Sequence, residues 1–165
     1  MAADSHVTIE IPQLEDVDEI ARVHVQGWRE TYAELLPPRF YGADALAART
    51  TMWRALLTND PVPPRLRVAR IDGSIVGVAL AGASRDGTPA RDLDLHLIYL
   101  LTGHHGSGAG QALLDAVIGS EPAQVWVAQH NPRAHSFYRR NGFQPDGVSV
   151  VDTDADGLVE VRLIR

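Results

Sequence analysis

The chain has 165 residues, no cysteine and a formal net charge of −6, which suits one domain with its own core and excludes both a disulfide framework and thiolate chemistry. The acidic balance, with basic residues scattered and only Arg139-Arg140 adjacent, argues against nucleic acid as a partner, since its capture needs clustered Lys and Arg. No apolar run nears the ~18 residues of a membrane span, and the opening MAADSHVTIE has neither the basic nor the apolar part of a secretory signal, so a cytoplasmic chain without membrane contact is expected.

Val7 to Ile11 alternates and is β-branched, which predicts a first strand. From Leu14, apolar positions at Val17, Ile20, Ala21, Val23, His24 and Trp28 carry helical spacing, until Pro37-Pro38 stops it. Ala43 to Leu57 predicts a second helix. Leu66 to Ile71 and Ser74 to Ala81 predict two strands joined at Asp72-Gly73, a strong hairpin signal. Leu93 to Leu101, LDLHLIYLL, predicts a mostly apolar strand.

A glycine cluster follows, from Gly103 to Gly110, and opens a helix predicted over Ser107 to Gly119. Then come a strand at Gln124 to Ala128 and a helix opened by Asn131-Pro132, where Asn suits the N-cap and Pro the first helical position. Val148 to Val151 and Leu158 to Ile164 predict a terminal strand pair. The order β-α-α-β-β-β-α-β-α-β-β predicts an α+β, or mixed α/β, fold over residues 1–165 as one domain around one twisted sheet.

The glycine cluster is the chemical signal. It lacks the lysine of a nucleotide-hydrolysing phosphate loop, GxxxxGK(S/T), and Gln111 stands where a dinucleotide fingerprint needs its last glycine. A lysine-free run of amides at a helix start still makes an anion nest, helped by the helix dipole. It suits a diphosphate that anchors a molecule and is not itself attacked. A tight strand-to-helix turn with no ligand is the plainer alternative.

The residues DLHLIYL from Asp94, followed by HHGSGAGQALL from His104, resemble motif A of the GNAT N-acetyltransferases, Gln/Arg-x-x-Gly-x-Gly/Ala after a central strand. Gly108 and Gly110 match, and His105 replaces the usual Gln or Arg. Asn131 to Ala134, Phe137-Tyr138 and Asn141 to Phe143 resemble that family's motif B, N-x-x-A-x-x-F-Y-x-x-x-G-F. Both blocks occur in the right order and at the right spacing.

The resemblance implies acetyl-coenzyme A as co-substrate, no metal, and transfer of acetyl to a primary amine of a small molecule or peptide in a ternary complex. A non-catalytic acyl-coenzyme A sensor of the same fold is the alternative, and the chain would be a monomer or homodimer. The strands flanking the glycine helix would splay apart, with the pantetheine in the gap. Coenzyme contacts would then come from Ile98, Tyr99, Leu100, His105, Gly106, Ser107, Gly108, Ala109, Gly110, Gln111, Asn131 and Tyr138. The Leu100 amide would polarise the thioester carbonyl.

Tyr138 matches the family's general acid, against the alternative of a tyrosine capping a core beside Phe137. Asn131 could touch the coenzyme or serve only as an N-cap. Asp94 and His96 are rival general bases, sharing one face with Ile98 on a period-two strand. Trp28 and Tyr32, with Glu30 and Glu34 beside them, are acceptor-site candidates, against an aromatic core stripe with solvated glutamates. Asp152 to Gly157 imitates half of a calcium loop, but its flanking strands predict a hairpin turn.

Overall fold

A computed structural model describes residues 6–165; Met1 to Ser5, the start of the stretch read as lacking a secretory signal, lie outside the described residues. Strands β1 (Val7–Glu10), β2 (Leu66–Ile71), β3 (Ser74–Ala83), β4 (Leu93–Leu100), β5 (Gln124–Ala128), β6 (Gln144–Asp152) and β7 (Leu158–Ile164) form one sheet in the order β1-β2-β3-β4-β5-β7-β6. Neighbours run antiparallel except β4 and β5, which are parallel. The mixed α/β class expected from the element order is the fold that forms.

Helices cover both faces. Helices α3 (Ala109–Val117) and α4 (Pro132–Arg140) lie on one side, where Leu113, Leu114 and Val117 pack with Leu95, Val125, Val127, Tyr138 and Phe143. Helices α1 (Val17–Tyr32) and α2 (Ala43–Leu57) cover the other, where Val17, Ile20 and Trp53 meet Leu66, Val68 and Val78. The alternation of each strand sorts its side chains between these two cores.

Most element bounds follow the local signals. Asp72 and Gly73 form a two-residue turn with φ of 51° and 82°, the mirror-image geometry that tight hairpins require. Some elements differ from expectation, β3 running on to Ala83. Strand β6 starts at Gln144 rather than Val148, because β7 recruits the Pro-Asp-Gly segment through an irregular register between Pro145 and Ser149. Edge position and a bulge are where a strand tolerates proline. Helix α3 begins two residues later than predicted, at Ala109.

Strand β4 is also irregular. Leu80 pairs with Leu97 but Ala81 with Leu95, leaving His96 as an extra residue. Leu95 and Ile98 therefore both belong to the α3 side, and Asp94 no longer shares a face with Ile98. The period-two argument fails here because a bulge resets the alternation.

One buried polar pair ties α1 to α2. The Trp53 indole N–H donates to His24 Nδ1 over 3.1 Å, and the His24 ring stacks on Tyr99 at 4.7 Å. Burial first, and Arg49 second, depress the His24 pKa from 6.5 to about 3. The unfolded chain thus binds a proton below pH ~6.5 that the folded chain refuses until about pH 3, and stability falls as pH drops through that window. The linkage is of the order of a few kcal/mol. Urea titrations at pH 7 and pH 4 should show His24→Gln less stable at pH 7 yet with a flatter loss towards pH 4; an unchanged slope would remove His24 from the acid response.

Candidate active site

A groove of about 550 Å³ lies where β4, the glycine loop, α3 and α4 converge. It exists because β4 and β5 part. Asp94 and Gln124 are the paired residues of that ladder, and the strands splay beyond them. The backbone of β4 faces the gap in a specific way. The Leu101 amide donates to Val76 on β3 at 2.9 Å, so by strand alternation the N–H and C=O groups of Leu100 and Ile98 point away from β3, towards the opening. The Leu100 carbonyl accepts from the His105 Nε2–H at 3.0 Å, which folds the loop back on the strand end.

The loop then delivers α3. Gly106 and Gly108 have φ of 84° and 86°, and a Cβ on either would meet open space. The constraint there is backbone conformation, not crowding within the protein. Gly108 is the N-cap, so the amides of Gly108, Gly110 and Gln111 have no carbonyl partner inside the helix. The Ala109 amide donates to the Ser107 hydroxyl oxygen at 3.3 Å, and the first helical bond runs from the Ala112 amide to the Gly108 carbonyl. His105, Gly106, Gly108, Gly110 and Gln111 all line the groove. The Gln111 side chain instead bridges Asp115 and Asn141, at 2.9 and 2.8 Å.

Helix α4 forms the opposite wall. Asn131 caps α4, its Oδ1 accepting from the Ala134 amide at 3.2 Å, and it lines the groove. Tyr138 is 6% exposed and packs edge-on against Phe137 and Phe143. Its hydroxyl bonds to no described residue and reaches the groove. Burial, reinforced by the phenols of Tyr99 and Tyr32, raises its pKa well above the usual tyrosine range. Arg133 and Arg140 also line this wall. Sequence reasoning noted the Arg139-Arg140 pair without giving it a role, although the seven-residue spacing of Arg133 and Arg140 places both on one helix face.

The α1 side holds an aromatic cluster. The Trp28 indole donates to the Tyr99 hydroxyl at 2.8 Å, and its ring meets Tyr32 and Phe40 at 5.1 and 6.2 Å. Arg49 sits 5.6 Å from the Trp28 ring, so that ring already faces a cation of the protein. The Tyr32 phenol is raised chiefly by burial, then by Tyr99 and Glu160. Glu30 lines the groove, but one of its oxygens accepts from the Thr102 amide and hydroxyl, both at 2.8 Å, and the other from Gln26. Partial burial acts to raise its pKa, and these bonds together outweigh burial and lower it. Glu30 is a clasp between α1 and the end of β4. Glu34 is exposed at the helix end.

Asp94 and His96 lie outside the groove lining. Asp94 is buried where the strands still pair, accepting from Gln124 at 3.2 Å and Ser84 at 3.4 Å. Burial raises its pKa. His96, on the bulge, is lowered by burial and then by Arg85. Glu160 on β7 escaped sequence reasoning, since only the β5–β7 register sets residue 160 opposite Ala128. Among the described residues no group of three His, Cys, Asp or Glu is placed to hold a metal, and no helix is long and apolar enough to cross a membrane.

These features have known counterparts. The acetyltransferase (GNAT) domain profile matches residues 63–145. The chain is 32% identical over 159 residues to the uncharacterised N-acetyltransferase YuaI of Bacillus subtilis, covering 92% of this chain and 87% of that one. An uncharacterised N-acetyltransferase of Mycobacterium tuberculosis is 34% identical over 147 residues, covering 80% of this chain and 85% of that one. Among solved structures, a Pyrococcus horikoshii protein superposes with a TM-score of 0.72 at 19% identity, over 97% of this chain and 98% of that one. The PaiA N-acetyltransferase of Thermoplasma acidophilum, solved with coenzyme A, does so with 0.65 at 17% identity, over 95% and 98%. Family profile, close relatives and shared fold agree: the chain belongs to the GNAT family and is an acetyltransferase.

Proposed function

We propose that the groove binds acetyl-coenzyme A and that the chain moves the acetyl group directly to a primary amine of a small molecule or peptide. The observation that carries this reading is the splayed strand pair, whose inner edge offers Leu100 and Ile98 backbone groups beside a glycine-opened helix start. The residues fit such a ligand. Free amides of α3 suit a diphosphate, and the open space over Gly106 and Gly108 admits one. Arg133 and Arg140 add positive charge along the wall.

Acetyl-coenzyme A supplies an activated acetyl thioester. The Leu100 N–H is the protein's donor for the thioester oxygen on which negative charge develops. Tyr138 stays protonated at any working pH, because burial holds its phenol far above the ordinary range. An alkyl thiolate, with a pKa near ~8.5, is a weaker base than such a phenolate. Tyr138 therefore donates a hydrogen bond to sulfur as charge builds, and solvent completes the protonation as the thiol leaves. With no cysteine in the chain, an acyl-cysteine route is closed and both substrates meet in one complex.

Two measurements test this. Acetyl-coenzyme A at about 100 times its dissociation constant should stabilise the fold by roughly 2.7 kcal/mol in a thermal melt. Gly108→Val, strained at a φ of 86°, should abolish that shift; no shift for the native chain at millimolar ligand defeats the proposal. Tyr138→Phe should lower kcat by roughly 10–150-fold, the value of a ~1.5–3 kcal/mol charge-assisted hydrogen bond, with binding little changed. The rate of the unmodified enzyme should show no falling limb from Tyr138 below pH ~10. Equal turnover by Tyr138→Phe would return Tyr138 to a packing role.

A further inference from the structure

We infer that a second cavity, on the far side of α1 from the groove, binds an amphipathic carboxylate, and that its occupancy weakens acetyl-coenzyme A binding. The inference goes beyond the acetyltransfer reading and rests on it only for the ligand of the groove. This cavity has a volume of about 560 Å³ and lies between α1, the start of α2, the start of β3 and the end of β4. That is room for a small organic molecule, not merely for a few waters.

Its lining is of two kinds. Val23 and Ile75 are buried in the α1–α2 core, Leu46 and Leu101 pack against that core, and all four present a surface to the cavity. Arg22 and Arg29 also line it, and both are exposed. Seven residues apart, they share one helix face, with about 10 Å of helix rise between them. Arg29 lies over the Tyr41 ring at 5.5 Å, and neither guanidinium has a hydrogen-bond or ion-pair partner among the described residues.

The carboxylate of the lining, Glu19, is already committed: it accepts from the Ile75 amide at 2.8 Å and lies 3.7 Å from Arg70. In a chain of net charge −6, two unpaired guanidinium groups beside an apolar floor favour an anion with a hydrophobic body. A carboxylate matches the guanidinium fork, and an alkyl or aryl body covers the floor. Inorganic phosphate would meet the charge and leave the floor wet, and an apolar cation would cover the floor against two like charges.

The cavity and the groove share a wall. Along α1, Gly27, Glu30 and Thr31 line the groove, whereas Val23, Gln26 and Arg29 line the cavity. At the end of β4, Leu100 and Thr102 line the groove and Leu101 the cavity. One chain of hydrogen bonds crosses this wall. The Gln26 Nε2–H donates to Glu30 at 3.1 Å, and the other Glu30 oxygen accepts from the Thr102 amide and hydroxyl, both at 2.8 Å. Gln26 stands between the two arginines on their helix face, so a carboxylate seated there competes with Glu30 for its N–H. The clasp on Thr102 loosens, and the strand end that carries the Leu100 N–H meets the coenzyme less well ordered. Such coupling is reciprocal, so acetyl-coenzyme A must weaken the carboxylate by the same factor.

The experiment titrates the full chain by calorimetry with butanoate, hexanoate and octanoate, with phosphate and octyltrimethylammonium as anion-only and apolar-cation controls. Affinity should rise roughly 3-fold per added methylene, as for CH₂ groups that are partly buried, and neither control should bind. Arg22→Gln combined with Arg29→Gln should weaken octanoate by about 10-fold or more. Arg85→Gln, which removes a positive charge outside the cavity lining, should leave it within about 2-fold. Saturating octanoate should raise the Kd of acetyl-coenzyme A by about 5-fold and then plateau. Gln26→Ala should bind octanoate within about 3-fold of the native chain and lose that coupling. Absence of octanoate binding, or binding that survives loss of both arginines, would overturn the inference. So would a coenzyme Kd that stays constant, or one that climbs without a plateau, which is competition inside the groove. Each of these outcomes leaves the transferase reading intact. A native chain that fails to bind acetyl-coenzyme A would instead defeat that reading, and the coupling with it.

Discussion

Two parallel strands that share one residue pair and then separate set the terms for the rest of the molecule. Parting β4 from β5 leaves backbone donors and acceptors of Ile98 and Leu100 without a ladder partner, an arrangement that folded proteins normally avoid. It persists because both strands are secured on their other edges, β4 by β3 and β5 by β7, each along nearly its whole length. The gap is therefore a rigid feature of a continuous sheet, and its exposed backbone is available to a ligand that can complete the hydrogen bonding.

Around that gap the two faces of the sheet divide the labour. The α3 and α4 face carries the positive elements: a helix N-terminus without internal partners, Arg133 and Arg140. The α1 face carries Glu30, already bonded to Thr102 and Gln26, and the phenols of Tyr32 and Tyr99, whose protons burial makes hard to remove. Clasps such as Glu30 on Thr102 and Trp28 on Tyr99 fix α1 to β4 at the point where the sides meet. These exposed or half-buried bonds are individually modest, of the order of 1 kcal/mol. Their common location at the end of β4 gives them weight there.

Several expectations carried over because they rest on local rules. Helix α2, strands β2, β5 and β7, and the Asp72-Gly73 turn follow from period, propensity and turn chemistry within a few residues. The glycine loop was legible for the same reason: Gly106 and Gly108 adopt positive φ, a property of the residue type. Asn131 as an N-cap followed from its neighbour Pro132, and its Oδ1 accepts from the Ala134 amide.

What the sequence determined by itself, then, is the set of elements, their order and the glycine loop that opens α3, since each is decided by neighbours along the chain. Tertiary structure decided which side chains face the gap. A one-residue bulge at His96 separated Asp94 from Ile98, and strand pairing withdrew Asp94 into bonds with Gln124 and Ser84. Contacts from the end of β4 occupied Glu30, and the β5–β7 register set Glu160 opposite Ala128. Register and bulges depend on how whole strands fit two cores at once, and one residue of slip moves every later side chain to the other face.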